Sequence, residues 1–202
     1  MRIAPWVAMA ITLVVLSANH DDDDDLDTLC RCSMVSWDLD SRAPIWTDAI
    51  RRAMRTVRPA TVIDVGCGPF REGPYVSQVL LYMGPRGTYL GVDQDSETIA
   101  RHAELTRGAA RVSHSCGDFL AGEWPRHDLA ITKCFVCLFY QGDQAPVVEK
   151  IRAAADWWLF YDSFNHPDPT SYLRSLGTVE FVIERCPGNP EYTRCGLLKF
   201  LR

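Results

Sequence analysis

The chain lacks an excess of positive charge. Its 21 Lys and Arg residues stand against 26 Asp and Glu, giving a formal net charge of -5 and a pI near 5.5. Broad capture of nucleic acid needs a basic face that displaces counterions from phosphates, so nucleic acid is disfavoured as a partner. Cysteine, at 8 residues in 202, is too sparse for a disulfide scaffold and too frequent to assign a redox compartment. There is no internal repeat, and 202 residues leave little room for two domains. An apolar fraction of 47%, with 23% charged and 10% aromatic, excludes disordered, collagenous and multi-span membrane classes. What remains is one globular domain with its own core.

The N-terminal stretch has a separate character. Residues 1–18, "MRIAPWVAMAITLVVLSA", have one basic residue, an apolar run and small residues near the end, the layout of a secretory signal or short anchor. The run is short for a full span, which takes about 20 apolar residues. Residues 19–33 follow as an acidic linker around Asp21–Asp25 and Asp27, a like-charge block that stays solvated. Two readings stand: a real leader, with membrane contact through residues 4–18 and a secretory or membrane-anchored location, or an overlong start with Met34 as initiator and a cytoplasmic protein. Either way the folded domain is expected over residues 34–202.

Within that domain, apolar and polar segments alternate with two different periods. "SRAPIWTDAIRRAMRTVRP" reads as a helix with Trp46, Ala49, Ile50, Ala53 and Met54 on its apolar side, ended by Pro59. "TVIDV" is a β-branched run of the kind buried in parallel sheets, and a helix is expected around "YVSQVLLYM". "TYLGVD" predicts a second strand, and "SETIARHAELTRG" a helix capped by Ser96 and stopped by Gly108. "RVSHSCGDF" predicts a third strand and its loop, "DLAIT" a fourth strand, "APVVEKIRAAA" a helix with Pro146 in its first turn, and "WWLFYD" a fifth strand. A short helix near "TSYLRSLG" and two strands flanking "PGNP" complete the chain. The order implies an α/β fold: a Rossmann-like three-layer sandwich on a mostly parallel sheet, closed by a C-terminal antiparallel hairpin.

Between the first strand and its helix stands "TVIDVGCGPFREG". A glycine turn here lets a ligand approach the backbone beside the unpaired N–H groups of a helix N-terminus. A dinucleotide fingerprint begun at Gly66 would place its third glycine at position 71, which is Arg71, and a pyrophosphate would not favour Asp64 so near the turn. The dinucleotide match is therefore poor.

The stretch "VIDVGCGPF" resembles the first motif of the class I S-adenosylmethionine-dependent methyltransferases, an acidic residue followed by an apolar one and G-x-G-x-G. The resemblance implies a seven-stranded Rossmann-like fold with S-adenosylmethionine as cofactor. It assigns Asp64 to the ligand's amino group, directly or through water, and the backbone of Gly66, Cys67 and Gly68 to its methionine portion. Asp93, with Gln94 beside it in "YLGVDQD", would accept the ribose hydroxyls, and "CGDF" would bring Asp118 to the adenine amine and Phe119 to its ring. Phe70 departs from the motif's third glycine. A Phe in the left-handed region would be strained, so Phe70 is expected at negative φ with its ring turned to the core.

The resemblance places "ITKCFVCLFYQGD", after the fourth strand, on the methyl-facing side, where Lys133 is assigned to both cofactor and chemistry. Tyr140, Asp162 and His166 are the other candidate catalytic side chains, His166 for its intrinsic pKa near neutrality. No Asn/Asp-Pro-Pro-aromatic signature of amino-group nucleic-acid methylation occurs there, so the expected acceptor is a small molecule or a protein side chain. No metal is expected: Cys30 and Cys32 would have to meet Cys134 and Cys137, and the latter pair lies in the apolar run "CFVCLF". The alternative is a chain of this fold that binds ligand or partner without transferring a methyl group.

Overall fold

A computed structural model of the chain describes residues 42–68, 74–139, 142–183 and 193–201. Residues 1–41, with the apolar segment and acidic linker, lie outside the described residues, as do Phe70, Tyr140 and the "PGNP" turn. Among the described residues no helix is long and apolar enough to cross a membrane.

The core of the molecule is a sheet of seven strands in the order β3-β2-β1-β4-β5-β7-β6. In chain order they are β1 (Thr61–Val65), β2 (Thr88–Asp93), β3 (Val112–Cys116), β4 (His127–Lys133), β5 (Ala155–Ser163), β6 (Gly177–Ile183) and β7 (Thr193–Phe200). The first five pair in parallel, whereas β7 runs antiparallel to both β5 and β6. A strand buried on both faces is largely apolar, and β1, set between β2 and β4, has Val62, Ile63 and Val65 fully buried, with the equally buried Asp64 as its polar exception.

Among the described residues five α-helices flank the sheet: α1 (Arg42–Val57), α2 (Pro74–Met83), α3 (Ser96–Leu105), α4 (Ala145–Ala154) and α5 (Pro169–Leu176). On one face α1 and α2 bring Trp46, Ala49, Ile50, Ala53, Met54, Val76 and Val79 against Val62, Leu129, Ile131 and Leu159. Trp46 sits edge-on to Tyr161 with ring centroids 6.2 Å apart. On the other face α4 and α5 pack Val147, Val148, Ile151 and Leu173 over Ile63, Val65, Ala130, Trp158 and Phe160. Each such large apolar side chain contributes about 1.5–3 kcal/mol by leaving water, which makes the two clusters the main source of stability.

Local differences from the periodicity have plain causes. The α3 cap is Asp95 rather than Ser96: its carboxylate accepts from the backbone N–H groups of Glu97 and Thr98, a stronger cap than a hydroxyl one residue later. The helix ends at Leu105, before Gly108, because Thr106 turns its hydroxyl back onto the His102 carbonyl. Ala155 opens β5 instead of closing α4, since the strand extends to pair with His127. The connection from β3 to β4 carries no helix, and there Phe119 and Trp124, stacked with centroids 6.0 Å apart, cover the sheet instead.

Candidate functional site

Parallel strands end together, so the loops after β1, β2, β3, β4 and β5 gather along one sheet edge. The turn after β1 opens on glycine. Gly66 has φ 64° and Gly68 φ 61°, both in the left-handed region that glycine enters without steric cost. The N–H groups of Gly66 and Cys67 donate to the Val92 carbonyl at 2.9 and 3.1 Å, stitching the turn to the end of β2. A Cβ on Gly66 would fall 2.7 Å from Cδ2 of Phe135, in the loop after β4.

Asp93 closes β2 beside this turn. One carboxylate oxygen accepts from the Gly68 N–H at 2.9 Å and the other from the Asp95 N–H at 3.0 Å. Two oxygens with about four acceptor sites keep capacity for further donors, which suits a pair of sugar hydroxyls. Asp95 then caps α3, and its carboxyl is held below the ordinary value by the Thr98 hydroxyl first and the Glu97 N–H second. Gln94, between the two acids, is exposed at the edge.

Asp118 lies in the loop after β3, exposed, with one oxygen accepting from the Leu120 N–H at 2.9 Å. Phe119 beside it is buried, edge-on to Phe135 at 5.9 Å. The Gly117 N–H donates to the Asp93 carbonyl at 2.9 Å, so the β2 and β3 loops are tied together. Asp93, Gln94, Asp118 and the Gly66–Gly68 turn thus occupy neighbouring strand ends.

Asp64 is placed differently. It is 0% exposed and accepts from the Tyr89 hydroxyl at 2.6 Å, under the turn rather than on its outer surface. Lys133, 4% exposed at the end of β4, shares the sheet face of Asp64 and Ile131 because alternate residues point the same way. Cys134 follows it at φ 55°, a left-handed cysteine whose N–H donates to the Tyr161 carbonyl at 2.8 Å. A non-glycine residue there stores strain of order 1–3 kcal/mol, and this one turns the chain so that Phe135 meets Gly66.

Asp162, at the end of β5, is 1% exposed and faces inward. It accepts from the Thr132 hydroxyl at 2.5 Å and from the N–H groups of Val136 and Cys137 at 2.9 and 3.4 Å. The Trp158 indole N–H donates to the same Thr132 hydroxyl at 2.9 Å. This carboxylate therefore anchors the loop after β4 from below. His166 is half-buried, stacked on Tyr172 with centroids 5.2 Å apart, and its Nδ1 lies 3.0 Å from the Asp168 backbone nitrogen, so the ring is engaged within its own loop. Among the described residues no group of three or more His, Cys, Asp or Glu side chains forms a metal site.

Several residues of the site were not singled out from the sequence. Phe135, Tyr89 and His102 all touch its frame, and His102 donates from Nε2 to the Gly68 carbonyl at 2.6 Å. The one sequence signal for Tyr89 is its alternation with Gly91 in "TYLGVD", which leaves space beside the tyrosine ring on β2. His114, on β3, packs against His102 at 5.3 Å. Burial first, and the neighbouring His102 second, push the His114 imidazole below its ordinary pKa.

No family model matches the chain. No curated protein matches it in sequence. Solved structures do match in three dimensions. N-methyltransferase NodS from Bradyrhizobium japonicum WM9, in complex with S-adenosyl-L-homocysteine, aligns with a TM-score of 0.62 at 14% identity, covering 89% of this chain and 98% of that one. Ribosomal protein L11 methylase from Lactobacillus delbrueckii subsp. bulgaricus aligns with a TM-score of 0.57 at 15% identity, covering 79% of each chain. Magnesium protoporphyrin IX methyltransferase from Synechocystis PCC 6803, with bound S-adenosylmethionine, gives 0.56 at 12% identity, covering 79% of this chain and 82% of that one. The strand order, the reversed β7 and these likenesses agree: the chain has the seven-stranded fold of the class I S-adenosylmethionine-dependent methyltransferases.

Proposed function

We propose that the chain binds S-adenosylmethionine at the β1–β3 edge and transfers its methyl group to a small molecule or a protein side chain. The observation that carries the reading is the Gly66–Gly68 turn locked to Asp93: a glycine turn at positive φ stands beside a carboxylate with acceptor capacity left for a diol. The donor set fits the cofactor. Asp93 would take the ribose hydroxyls and Asp118 the adenine amine, with Phe119 lending apolar surface near the base and the turn meeting the methionine portion. Asp64 and Lys133, being buried, would act from beneath the turn through its shape and field. Structural neighbours crystallised with S-adenosylmethionine or S-adenosyl-L-homocysteine support the same cofactor.

When bound, the cofactor supplies an activated methyl on a sulfonium, whose in-line displacement asks mainly for alignment, with effective molarities of about 10⁵–10⁸ M available. A base is needed only for an acceptor that holds its proton at neutral pH. The residues seen here match that modest demand: the Asp162 anchor and the strained Cys134 fix the loop after β4, and the packed rings of Phe135 and Phe139 would help to shield the edge from water. A net charge of -5 favours a small or protein acceptor over nucleic acid. A second reading, ligand binding without transfer, is favoured by the inward placement of Asp162 and Lys133 and the local engagement of His166.

Isothermal titration of S-adenosylmethionine into the full chain tests the proposal, with NAD titrated separately. Micromolar binding that Asp93→Ala weakens by at least about tenfold, near 1.4 kcal/mol, is expected. Binding of NAD in its place, or wild-type affinity in Asp93→Ala, would overturn it. Release of S-adenosyl-L-homocysteine with a panel of acceptors then separates transfer from binding alone.

A further inference from the structure

His102 is 1% exposed on the inner side of α3, and no step of methyl transfer calls for it. A carbonyl oxygen only accepts, so the 2.6 Å contact with Gly68 requires the proton on Nε2. The other ring nitrogen, Nδ1, is buried without a hydrogen-bond partner, and so is Nε2 of His114, whose ring stands edge-on to His102 with centroids 5.3 Å apart. Buried polar atoms left unpartnered weigh against folding, and each calls for a compensating role. An aliphatic residue at position 102 would fill the helix–sheet space without that loss. What it could not do is hold the Gly68 carbonyl.

Gly68 is also gripped through the preceding peptide unit, because its N–H donates to Asp93. Asp93 also accepts from the Asp95 N–H, Asp95 caps α3, and α3 carries His102 back to Gly68. The contacts form a closed circuit around a glycine at φ 61°, the residue type with most freedom to lose. No third His, Cys, Asp or Glu among the described residues joins the two imidazoles to make a metal site.

We infer that His102 is a positioning residue for the ligand turn: its Nε2–H fixes the Gly68 carbonyl and so presets the Gly66–Gly68 backbone and the Asp93 carboxylate before ligand arrives. The packed His114 ring keeps the imidazole turned toward Gly68. A turn ordered in advance spares the ligand the entropy of ordering it, which appears as affinity. The inference rests on the proposed cofactor reading for its functional consequence, while the ordering of the turn belongs to the free chain.

The test compares wild type, His102→Leu and His102→Gln, the last keeping an N–H donor at similar reach. In ligand-free protein, hydrogen exchange in the peptide spanning residues 61–68 should be about tenfold faster in His102→Leu, with the melting temperature within a few degrees of wild type, and near wild-type rates in His102→Gln. The dissociation constant for S-adenosylmethionine should rise about tenfold in His102→Leu and recover in His102→Gln. Unchanged exchange in a folded His102→Leu would overturn the inference. If His102→Leu does not fold, His102→Gln decides alone: wild-type exchange supports the role, and accelerated exchange in a folded protein overturns it. Failure of the wild type to bind S-adenosylmethionine would refute the proposed cofactor, and the exchange result would still decide the positioning role.

Discussion

Replacing Gly66 with alanine tests the ligand turn through two separable penalties. The first is conformational: at φ 64° a Cβ crowds the following carbonyl, which costs about 1–2 kcal/mol. The second is steric, since the new Cβ would lie 2.7 Å from Phe135 Cδ2 and 3.4 Å from its Cγ. That ring is held edge-on by Phe119 at 5.9 Å and by Phe139 at 5.8 Å, so displacing it costs about 1–3 kcal/mol, as overpacking of a filled site does. Reduced freedom of the unfolded chain returns about 0.4–1 kcal/mol. The net loss is about 1–5 kcal/mol, which urea unfolding reads as a lowered midpoint at unchanged slope. Gly84→Ala isolates the first penalty, because Gly84 has φ 73° and a Cβ there meets nothing within 4 Å. Gly66→Ala should exceed Gly84→Ala by the Phe135 contact alone, and Phe135→Ala in the Gly66→Ala background should show coupling between the sites. Equal losses in the two alanine variants, or additive behaviour in the double variant, would refute the packing of Phe135 against the turn.

Two further outcomes follow from the buried polar groups. Asp162→Ala leaves the N–H groups of Val136 and Cys137 and the Thr132 hydroxyl without their acceptor, and should destabilise the protein by about 3–5 kcal/mol in urea unfolding, with Asp162→Asn intermediate; a loss below about 1 kcal/mol would show that the carboxylate does not anchor the loop. Burial depresses both His114 and His127 from the ordinary 6.5. Between their lowered values and 6.5 the unfolded chain binds more protons, so this contribution to stability is complete above 6.5 and lost as pH falls through it. The melting temperature should drop between pH 7.5 and 5.5, and a rise over that interval would contradict the burial of these rings.

The nature of the site rests on how a small set of groups is held rather than on any one reactive side chain. The turn after β1 depends on Val92, Asp93, Phe135 and His102, which come from three other elements or loops. Preorganised backbone of this kind is where binding energy is gained in a site that must align two partners. The inward carboxylates are both buried: Asp162 holds the loop after β4 through the Val136 N–H, and Asp64 takes the Tyr89 hydroxyl of the neighbouring strand.

Much of the architecture is legible in the linear chain because it depends on local chemistry. The run "TVIDV" must be a buried strand, since every side chain from Val62 to Val65 except Asp64 is apolar and β-branched, and "GCG" must be a turn, since two of its residues tolerate positive φ. Strand-and-helix alternation and the apolar stripe of α1 are legible for the same reason, and Asp93 and Asp118 follow as acids at strand ends. Contacts between residues distant in sequence are another matter. Local propensity cannot say that β7 inserts between β5 and β6, because that order is decided by which edges can pair. Nor can it say that Tyr89 claims Asp64, that Asp162 turns inward to Thr132 and Val136, or that His102 reaches a carbonyl 34 residues away. Those assignments follow from packing, where a buried polar group takes the partner that the assembled sheet and helices bring within reach.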